Sequence, residues 1–506
     1  TGSNGSVRTT FNALFVIRAV SKYLVEMVPE YELCRHLDVQ AERRVGNGPV
    51  ETREALDTTL CPSICYVDSD NTYYLHLECI NTMLVLMSVY MFAGVHGQTR
   101  LTIYTTPPLD RQELQERVKK EHPVANQSCL LLLTLANHCM NDDNLYRNAL
   151  LCCEDTIGKM MIFKLIFSLQ LHKALCATAG CEHSTLLLYL MLHSCNAYKR
   201  HISNVAQIDQ LVIPILQVLY NAPDNNSHHI YMSLIVLLIL TEDDALIKSV
   251  HLIMLKNLTW YTERAISEIS LGGLMVLVIL RALQYNMVRV RDKYLHTNCL
   301  AAIANMSCEF RNLHPYVAQR LISLFETLTK RRRLDHNGRE PNTTSNYVHS
   351  KISPFQMDHI SVLDEVLRML LEIINSCLAH QLSNNLNVVY ALLHKRHLFQ
   401  QHHHHHPVAQ NIDMVIGYFS TRLQRVQEGA GGDLGVTEVL QCIKKGAEQW
   451  SSDRLKKFPD LKFRYVEEER PEEFFTPYVW SLVNSCGGVY WASEGGARAL
   501  GDLLAC

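Results

Sequence analysis

The sequence predicts an all-α protein built as an irregular armadillo/HEAT-like helical repeat array. Hydrophobic residues make up 48% of the 506 residues and charged residues 19%, a balance typical of folded proteins with a large core. Glycine (22) and proline (15) are scarce, which disfavours an all-β fold and its many turns. Apolar residues also recur at helical spacing in successive blocks separated by short polar breaks. A compact helical bundle is the alternative architecture.

Three adjacent stretches show how the helices are predicted. Ile230–Leu240 is apolar on every side, so we expect a helix enclosed by other helices. The polar residues Thr241 and Asp244 then offer a capping-box start for a following helix. Further on, apolar residues fall on one face of a helix at spacings of three and four: Leu295, Cys299, Ala302, Ile303, Met306 and Phe310.

Weak internal repeats favour the array. Asn126–Asn137 and His296–Asn305 both run from a polar start into Cys-Leu and finish in Ala-Asn. Other apolar helices begin at spacings of roughly 45 to 65 residues, as expected for helical repeats whose sequences have drifted. Asn137 and Asn305 thus end similar helices. The favoured interpretation is that each caps its own helix or bonds a neighbouring loop. Binding of an extended partner chain, as in armadillo arrays, is the alternative.

Composition breaks divide the chain into six parts. They are an N-terminal tail (1–10), a partly helical N-terminal region (11–124), a central helical array (125–329), a polar linker (330–351), a C-terminal helical region (352–490) and a divergent tail (491–506). Glu428–Gly435 reads as a second break, and the histidine tract His402–His406 as a low-complexity loop. The basic run Lys330–Arg333 is expected to lie in a solvated loop.

Charge and cysteine content narrow the partners and the compartment. The net charge is −3, so there is no basic excess to neutralise phosphates, and we expect no nucleic-acid partner. The 17 cysteines are odd in number and scattered, as expected for free thiols in a reducing compartment. The most apolar runs, Ile230–Leu240 and Leu271–Leu280, are about half the roughly 20 residues that cross a bilayer. We therefore expect core helices and no transmembrane segment.

Catalytic and metal-binding sequence motifs are nearly absent. The sequence contains no nucleophile elbow, phosphate-binding loop or zinc helix, so we expect no enzyme, cofactor or small-molecule substrate. Zinc needs four converging ligands, and no such set closes around the candidates. We therefore expect no metal site. The candidates are Cys61 with Cys65, the acidic Asp68-Ser69-Asp70, and Cys176 with Cys181, His183 and His193; the pairs Glu182-His183 and Asp358-His359 are interpreted as surface residues.

Several long strings resemble the dymeclin family. They are Ser227–Asp244, Leu255–Leu274, Gln284–Ser307, Leu371–Leu378 and Asp453–Val483. The resemblance implies an all-helical, non-enzymatic peripheral Golgi protein that supports Golgi organisation and traffic between endoplasmic reticulum and Golgi as a scaffold or adaptor. It implies a chain that exchanges between the cytoplasm and the cytoplasmic face of the Golgi, with the Golgi membrane and unidentified trafficking proteins as partners.

The start of the chain bears on membrane attachment. Gly2-Ser3-Asn4-Gly5-Ser6 fits the glycine-led myristoylation pattern, with Ser6 at its hydroxyl position. Gly2 is therefore the candidate lipidation site, although Thr1 stands where the pattern has methionine. The alternative function is a cytosolic helical-repeat module that binds proteins and has no membrane role.

Overall fold

The computed structural model describes residues 2–27, 72–88, 120–138, 144–151, 171–203, 207–337, 354–400, 406–430 and 434–489. These residues are mostly helical, which confirms the all-α class. Their helices are α1 (Gly2–Met27), α2 (Tyr73–Met87), α3 (Pro123–His138), α4 (Leu145–Leu151), α5 (Glu182–Ser194), α6 (Asn196–Ser203), α7 (Asp209–Tyr220), α8 (Ser227–Thr241), α9 (Asp244–Val250), α10 (Leu271–Tyr285), α11 (Lys293–Ser307), α12 (Pro315–Asn337), α13 (Pro354–Gln381), α14 (Leu386–His394), α15 (Arg396–Gln400), α16 (Ala409–Ala430), α17 (Val436–Glu448) and α18 (Pro471–Cys486). Shorter turns of 3-10 helix cover Ala222–Asp224, Leu382–Asn384 and Ser452–Arg454, and a π turn, Asn286–Val290, follows α10.

The chain divides into two compact units. Unit 1 contains Thr1–Lys199, Asp224–His229 and Val466–Cys506, and unit 2 contains Arg200–Pro223 and Ile230–Tyr465. In unit 1, α3 packs against α2, α4, α5 and α18, while α1 packs against α2. Amide side chains join these helices: Asn126 on α3 donates to the carbonyl of Cys486 over 3.0 Å.

Unit 2 is a succession of helices that each pack mainly on near neighbours. Helix α10 lies against α7, α11 and α12; α13 lies against α11, α12 and α16; and α14 lies against α12, α16 and α17. Apolar faces are thereby buried between successive helices rather than around one central element. This packing places the carboxyl end of α11 and the amino end of α16 in the same unit as the extended residues that follow α17.

Most of the apolar residues of α8 and α10 are buried, as predicted for these two runs. Val236 and Leu237 have no exposed side-chain area, and nearly all of α10 is buried. Gly272 in α10 is required by close packing, because a Cβ atom there would lie 2.5 Å from the imidazole ring of His251. The apolar stretch Leu271–Val290 has the length and composition to cross a membrane, but 78% of its most apolar window is buried inside the protein. Burial of that kind is typical of a core helix, so the stretch is weak support for a span.

Two helices begin at residues other than those predicted. Helix α9 is capped by Asp243, whose carboxylate accepts hydrogen bonds from the amides of Ala245 and Leu246. The predicted capping residue, Thr241, instead donates to the carbonyl of Leu238 within α8. Helix α1 begins at Gly2, within the range 1–10 that was predicted as an N-terminal tail. Each residue added to an existing helix gains a hydrogen bond, so an apolar helix extends readily into a polar flank.

The last helix before residue 338 extends into the range 330–351, which was predicted as a polar linker. Helix α12 continues to Asn337 and includes the basic run Lys330–Arg333, which was expected in a loop. Lysine and arginine are good helix formers, and Lys330 pairs with Glu326 one turn earlier at 2.8 Å. Residues 338–353 and the predicted tail 491–506 lie outside the described residues.

A short sheet was not predicted. Strand β1 (Met254–Lys256) pairs antiparallel with β2 (Glu268–Ser270), with Leu255 opposite Ile269. Each strand has only three residues, too few for an alternating pattern to stand out in the sequence. Ser270 at the end of β2 then caps α10 by accepting a hydrogen bond from the amide of Gly273.

Candidate peptide-binding groove

An extended segment crosses the surface of unit 2. It runs from Leu455, just after the Ser452–Arg454 turn, to Tyr465, and contains neither helix nor strand. The sequence of the segment is LKKFPDLKFRY. Its backbone has no neighbouring strand, so its amides and carbonyls need other hydrogen-bond partners. Two buried asparagine side chains provide some of them, and we call the surface that holds the segment the asparagine groove.

The first of these asparagines is Asn411, near the start of α16. Its Nδ2 donates to the carbonyl of Lys456 over 2.9 Å, and its Oδ1 accepts from the amide of Lys456 over 2.9 Å. The side chain has no exposed area. Nδ2 also donates to Oδ1 of Asn375 on α13 at 2.8 Å, which fixes the orientation of the amide. Asn411 therefore pairs with one backbone residue as a neighbouring β-strand would.

The second is Asn305, near the end of α11. Its Nδ2 donates to the carbonyl of Phe463 over 2.9 Å, and its Oδ1 accepts from the amide of Phe463 over 2.7 Å. Asn305 is also fully buried, and Nδ2 lies 3.4 Å from Oγ1 of Thr241. The two gripped residues, Lys456 and Phe463, are seven positions apart, which corresponds to roughly 23 Å of extended chain.

Acidic side chains hold the carboxyl end of the segment. Oε1 of Glu242 accepts a hydrogen bond from the amide of Tyr465 at 2.9 Å. The ammonium of Lys462 forms an ion pair with the carboxylate of Asp244 at the start of α9. Asn305 and Glu242 thus contact the backbone of the segment, while Asp244 contacts the side chain of Lys462.

A cavity of about 720 Å³ lies along the middle of the segment. It is lined on one side by α13 and on the other by the segment from Leu455 to Leu461. Oγ of Ser376 on this lining is buried and has no hydrogen-bond partner. His380 lies on the same wall, and its Nε2 is 3.3 Å from the carboxylate of Asp460. The chain's own segment thus leaves space in the groove beneath its central residues.

Both asparagines that end similar helices fit the favoured interpretation. In unit 1, Nδ2 of Asn137 donates to the carbonyl of Leu133 in its own helix, over 2.8 Å. Asn305 bonds a neighbouring loop, the extended segment of the same chain, at a residue 158 positions away in the sequence. The alternative interpretation, an extended partner chain held by such asparagines, stays a prediction. Asn411 had no comparable signal in the sequence, because the residues before it resemble neither repeat.

Unit 1 contains a polar cluster that the sequence gave no reason to expect. Arg147 donates to both oxygens of Glu467, over 3.0 and 2.8 Å, and the hydroxyl of Tyr189 donates to Oε1 over 2.7 Å. Burial alone would raise the pKa of Glu467, but the guanidinium and the hydroxyl outweigh it and hold that pKa below its usual value. The ring of Phe475 stacks on Tyr189 at 5.3 Å. Both carboxylate oxygens of Glu467 are paired, so the cluster is a structural clamp.

The predicted metal candidates are not brought together where they are described. Sγ of Cys176 lies 3.5 Å from Nε2 of His172. His183 is buried on α5, where burial lowers its pKa to about 4, and His193 is exposed. Within the described ranges no three histidine, cysteine or acidic side chains are placed to share a metal ion. Cys61, Cys65, Asp68 and Asp70, together with the side chains of Asp358 and His359, fall outside what the structure describes.

One hydroxyl–imidazole contact invites a catalytic interpretation. Oγ1 of Thr185 lies 3.0 Å from Nε2 of His229. The same hydroxyl also lies within donating distance of the carbonyls of Ala179 (2.9 Å) and Cys181 (3.1 Å). A hydroxyl has one proton, so bonding to a carbonyl leaves its oxygen to accept from the imidazole, the reverse of an activated nucleophile. Thr185 also has no exposed area, and the pair is structural.

The protein-family model described as "Dymeclin: Dyggve-Melchior-Clausen syndrome protein" matches residues 1–108 and 93–482. The chain belongs to the dymeclin family. It is 44% identical to Dymeclin of Drosophila melanogaster, over 97% of this chain and 85% of that protein. It is 40% identical to Dymeclin of Gallus gallus, over 95% and 82%. No solved structure matches the chain.

The dymeclin match includes the groove. Asn305, Asn411 and the segment Leu455–Tyr465 all lie within residues 93–482. A more distant relative, Dymeclin of Dictyostelium discoideum, is 26% identical over 64% of this chain and 42% of its own length. The groove is therefore a feature of the region that assigns the chain to the dymeclin family.

Proposed function

We propose that this dymeclin-family chain is a non-enzymatic peripheral Golgi protein that supports Golgi organisation and vesicle traffic between endoplasmic reticulum and Golgi as a helical scaffold or adaptor. The observation that carries the adaptor role is the grip of Asn305 and Asn411 on an extended backbone. A surface that binds backbone groups in this way suits the capture of a linear protein segment. The Golgi assignment is supported by family membership.

The proposed architecture is an armadillo/HEAT-like array. Two features support it: the succession of packed helices in unit 2, and buried helix asparagines that face an extended chain. In such arrays each helical unit contacts mainly its neighbours and the stacked units form a long binding surface.

The proposed partners are proteins of the Golgi or of its transport vesicles, with the Golgi membrane as a reversible peripheral contact through Gly2. Nucleic acid and small-molecule substrates are not part of the proposal. The near-neutral charge supports this choice, because nucleic-acid binding needs a basic surface.

Imaging of the tagged full-length chain beside Golgi and cytosolic markers tests the proposal. We expect a Golgi signal together with a cytosolic pool. We expect the double variant Asn305→Ala/Asn411→Ala to lose Golgi signal, whereas Asn298→Ala should not, because Nδ2 of Asn298 bonds only within α11, to the carbonyl of Tyr294. A diffuse wild-type signal with no Golgi enrichment would refute the Golgi role.

The groove also favours a second candidate function. A cytosolic helical-repeat module could use the same asparagines to hold protein segments without any membrane. Diffuse localisation combined with retained binding of protein segments would assign the chain to this function.

A further inference from the structure

We propose that the asparagine groove is a binding site for a partner's extended segment, and that Leu455–Tyr465 fills it in cis until such a segment takes its place. The partner segment is extended and carries a cation at the position that corresponds to Lys462. The inference rests on the adaptor role proposed above and names the site and the chemistry of its ligand.

Backbone recognition makes replacement possible. At Lys456 and Phe463 the groove contacts an amide and a carbonyl, which every residue except proline provides in full. A second extended chain offers the same pairs at the same spacing. The asparagine amides do not require the identity of the side chains at those two positions.

The cis segment is held by few apolar contacts. Of its eleven residues only Leu455 is buried, and Lys456, Lys457, Pro459, Asp460, Lys462 and Arg464 are exposed. A segment with little buried apolar area opens locally at a lower free energy than the helices on which it lies. The covalent chain keeps it close to the groove, so it acts as a tethered competitor of any segment in solution.

Acidic side chains lie at one end of the groove, where the carboxyl end of the segment binds. Asp244 pairs with Lys462, and Glu242 accepts from the amide of Tyr465. Asp244 therefore favours an incoming segment with a cation one position before the residue gripped by Asn305, although an ion pair this exposed contributes little to affinity. A segment with an acidic residue at that position would be repelled by Asp244.

The cis segment does not fill the groove beneath its middle. A cavity of about 720 Å³ lies there, and its lining includes Ser376 on α13, whose hydroxyl is buried. The stretch Leu455–Leu461 forms another part of the lining, so the groove has room for larger side chains than those of the cis segment.

A labelled peptide of sequence LKKFPDLKFRY, titrated into the full chain by fluorescence anisotropy, tests the exchange. In the variant Lys462→Glu the cis segment is repelled by Asp244 while the groove is intact, and in Phe463→Pro it loses the amide donated to Asn305. We expect both variants to bind the peptide at least tenfold more tightly than the wild-type chain. Adding Asn305→Ala to either should remove that gain, and adding Asn298→Ala should not. A peptide with proline in place of Phe463 should bind at least tenfold more weakly.

Several outcomes would overturn the inference. One is equal peptide affinity in the wild type and in a folded Lys462→Glu chain, in which only exposed groups are changed. Another is binding that is indifferent to Asn305→Ala. Hydrogen exchange on the unaltered chain gives an independent measure: the amides of Lys456 and Phe463 should exchange faster than those inside α11. Protection equal to that of α11 would show a segment that does not open.

Other occupants are also distinguished. Light scattering of the wild-type chain should give a monomer at micromolar concentration. A dimer that Asn305→Ala dissociates would make a second copy the occupant and overturn the assignment to a partner protein. Golgi localisation without peptide exchange would support the Golgi role and refute this inference. Peptide exchange without Golgi localisation would support this inference and refute the Golgi role.

Discussion

The side-chain amides of Asn305 and Asn411 pair with the backbone of Phe463 and Lys456, as a neighbouring β-strand would. Each asparagine offers one donor and one acceptor at the separation of a backbone amide pair, and each is buried, where an unpaired amide would be costly. Asn411 is oriented by Asn375 before it meets Lys456. The segment therefore meets donors and acceptors that are already fixed in position, which reduces the entropy lost on binding.

The variant Asn305→Ala should lower the free energy of unfolding by about 1–3 kcal/mol, because the amide and carbonyl of Phe463 lose both partners. The matched change Asn298→Ala, in the same helix, removes only a bond to Tyr294 and should cost about 0.5 kcal/mol or less. Urea denaturation of the two purified variants beside the wild type gives the comparison. Equal losses for the two asparagines would mean that the grip on Phe463 contributes no stability.

Buried histidines make stability depend on pH. Burial, together with the nearby Arg311 guanidinium, lowers the pKa of His251 to about 4. The unfolded chain takes up that proton near pH 6.5. The neutral form thus stabilises the folded state fully above about pH 6.5, and this contribution is lost as the pH falls towards 4. His183 and His228, each with a pKa of about 4, act in the same direction.

Replacing His251 by glutamine should remove one of these contributions. Between pH 7.5 and 5.0 the variant should lose roughly 2 kcal/mol less unfolding free energy than the wild type, since about 1.5 pH units lie below 6.5 and each is worth 1.36 kcal/mol. Urea midpoints at the two pH values provide the measurement. His397→Gln, which replaces an exposed histidine, is the matched control. A His251→Gln variant with the wild-type pH dependence would show that the pKa of His251 is the same in the folded and unfolded chains.

Residue-level prediction from the sequence stopped where partners are distant. The Ala-Asn ending drew attention to Asn305, but its partner Phe463 lies 158 residues away, and no local pattern links the two. Asn411 and Ser376 gave no signal, because their roles follow from which helices become neighbours. Asp243 caps α9, two positions after Thr241, the residue that was predicted to do so. The sequence does not distinguish the two, because both side chains offer an oxygen near the same turn.

At the scale of secondary-structure elements, the spacing of apolar residues predicted the long buried helices correctly. It placed α8, α10 and α11, whose apolar residues repeat over several turns and are buried. It did not fix the ends of α1 and α12, because polar residues with good helix propensity extend a helix that is already formed. It also missed the three-residue strands β1 and β2.

Helix α8 provides the test of this core. Leu237→Ala should lower the free energy of unfolding by about 2–5 kcal/mol, because the side chain is fully buried and its removal leaves a cavity. The matched change Leu252→Ala, at a leucine that is 70% exposed, should cost about 0.5 kcal/mol or less. Chemical denaturation measures both. An unchanged midpoint for Leu237→Ala would remove α8 from the core.

At the scale of the whole molecule, folding should not depend on a metal ion. In the ranges that the structure describes, no ligand set is assembled, and no disulfide joins the ten described cysteines. Burial raises the pKa of Cys377 to about 12, so its thiol is a poor metal ligand. The far-ultraviolet circular dichroism of the purified chain should therefore survive prolonged chelation. Stoichiometric zinc by elemental analysis, lost together with the helical signal, would contradict this expectation.

Membrane attachment is the other property of the whole chain that one residue controls. If Gly2 is myristoylated, a single acyl chain gives a binding constant of only about 10⁴ M⁻¹, too weak for stable residence. The nearest basic residues add little, because Arg8 is isolated and Arg18 is paired with Glu78 at 2.5 Å. The protein should therefore exchange between cytosol and membrane, with lasting residence supplied by a protein partner.

Fractionation of the chain, expressed with an initiating methionine directly before Gly2, tests this attachment. We expect Gly2→Ala to reduce the membrane fraction severalfold and to abolish incorporation of a myristate analogue, since the alanine amine is not acylated. Ser3→Ala is the matched control, because it leaves the acylated glycine and the hydroxyl of Ser6 in place. The groove variant Asn305→Ala should reduce membrane residence without changing acylation, because position 305 lies outside the acylation motif at the start of the chain. Equal membrane fractions for Gly2→Ala and the wild type would eliminate the lipid anchor and leave the groove as the route by which the protein is recruited.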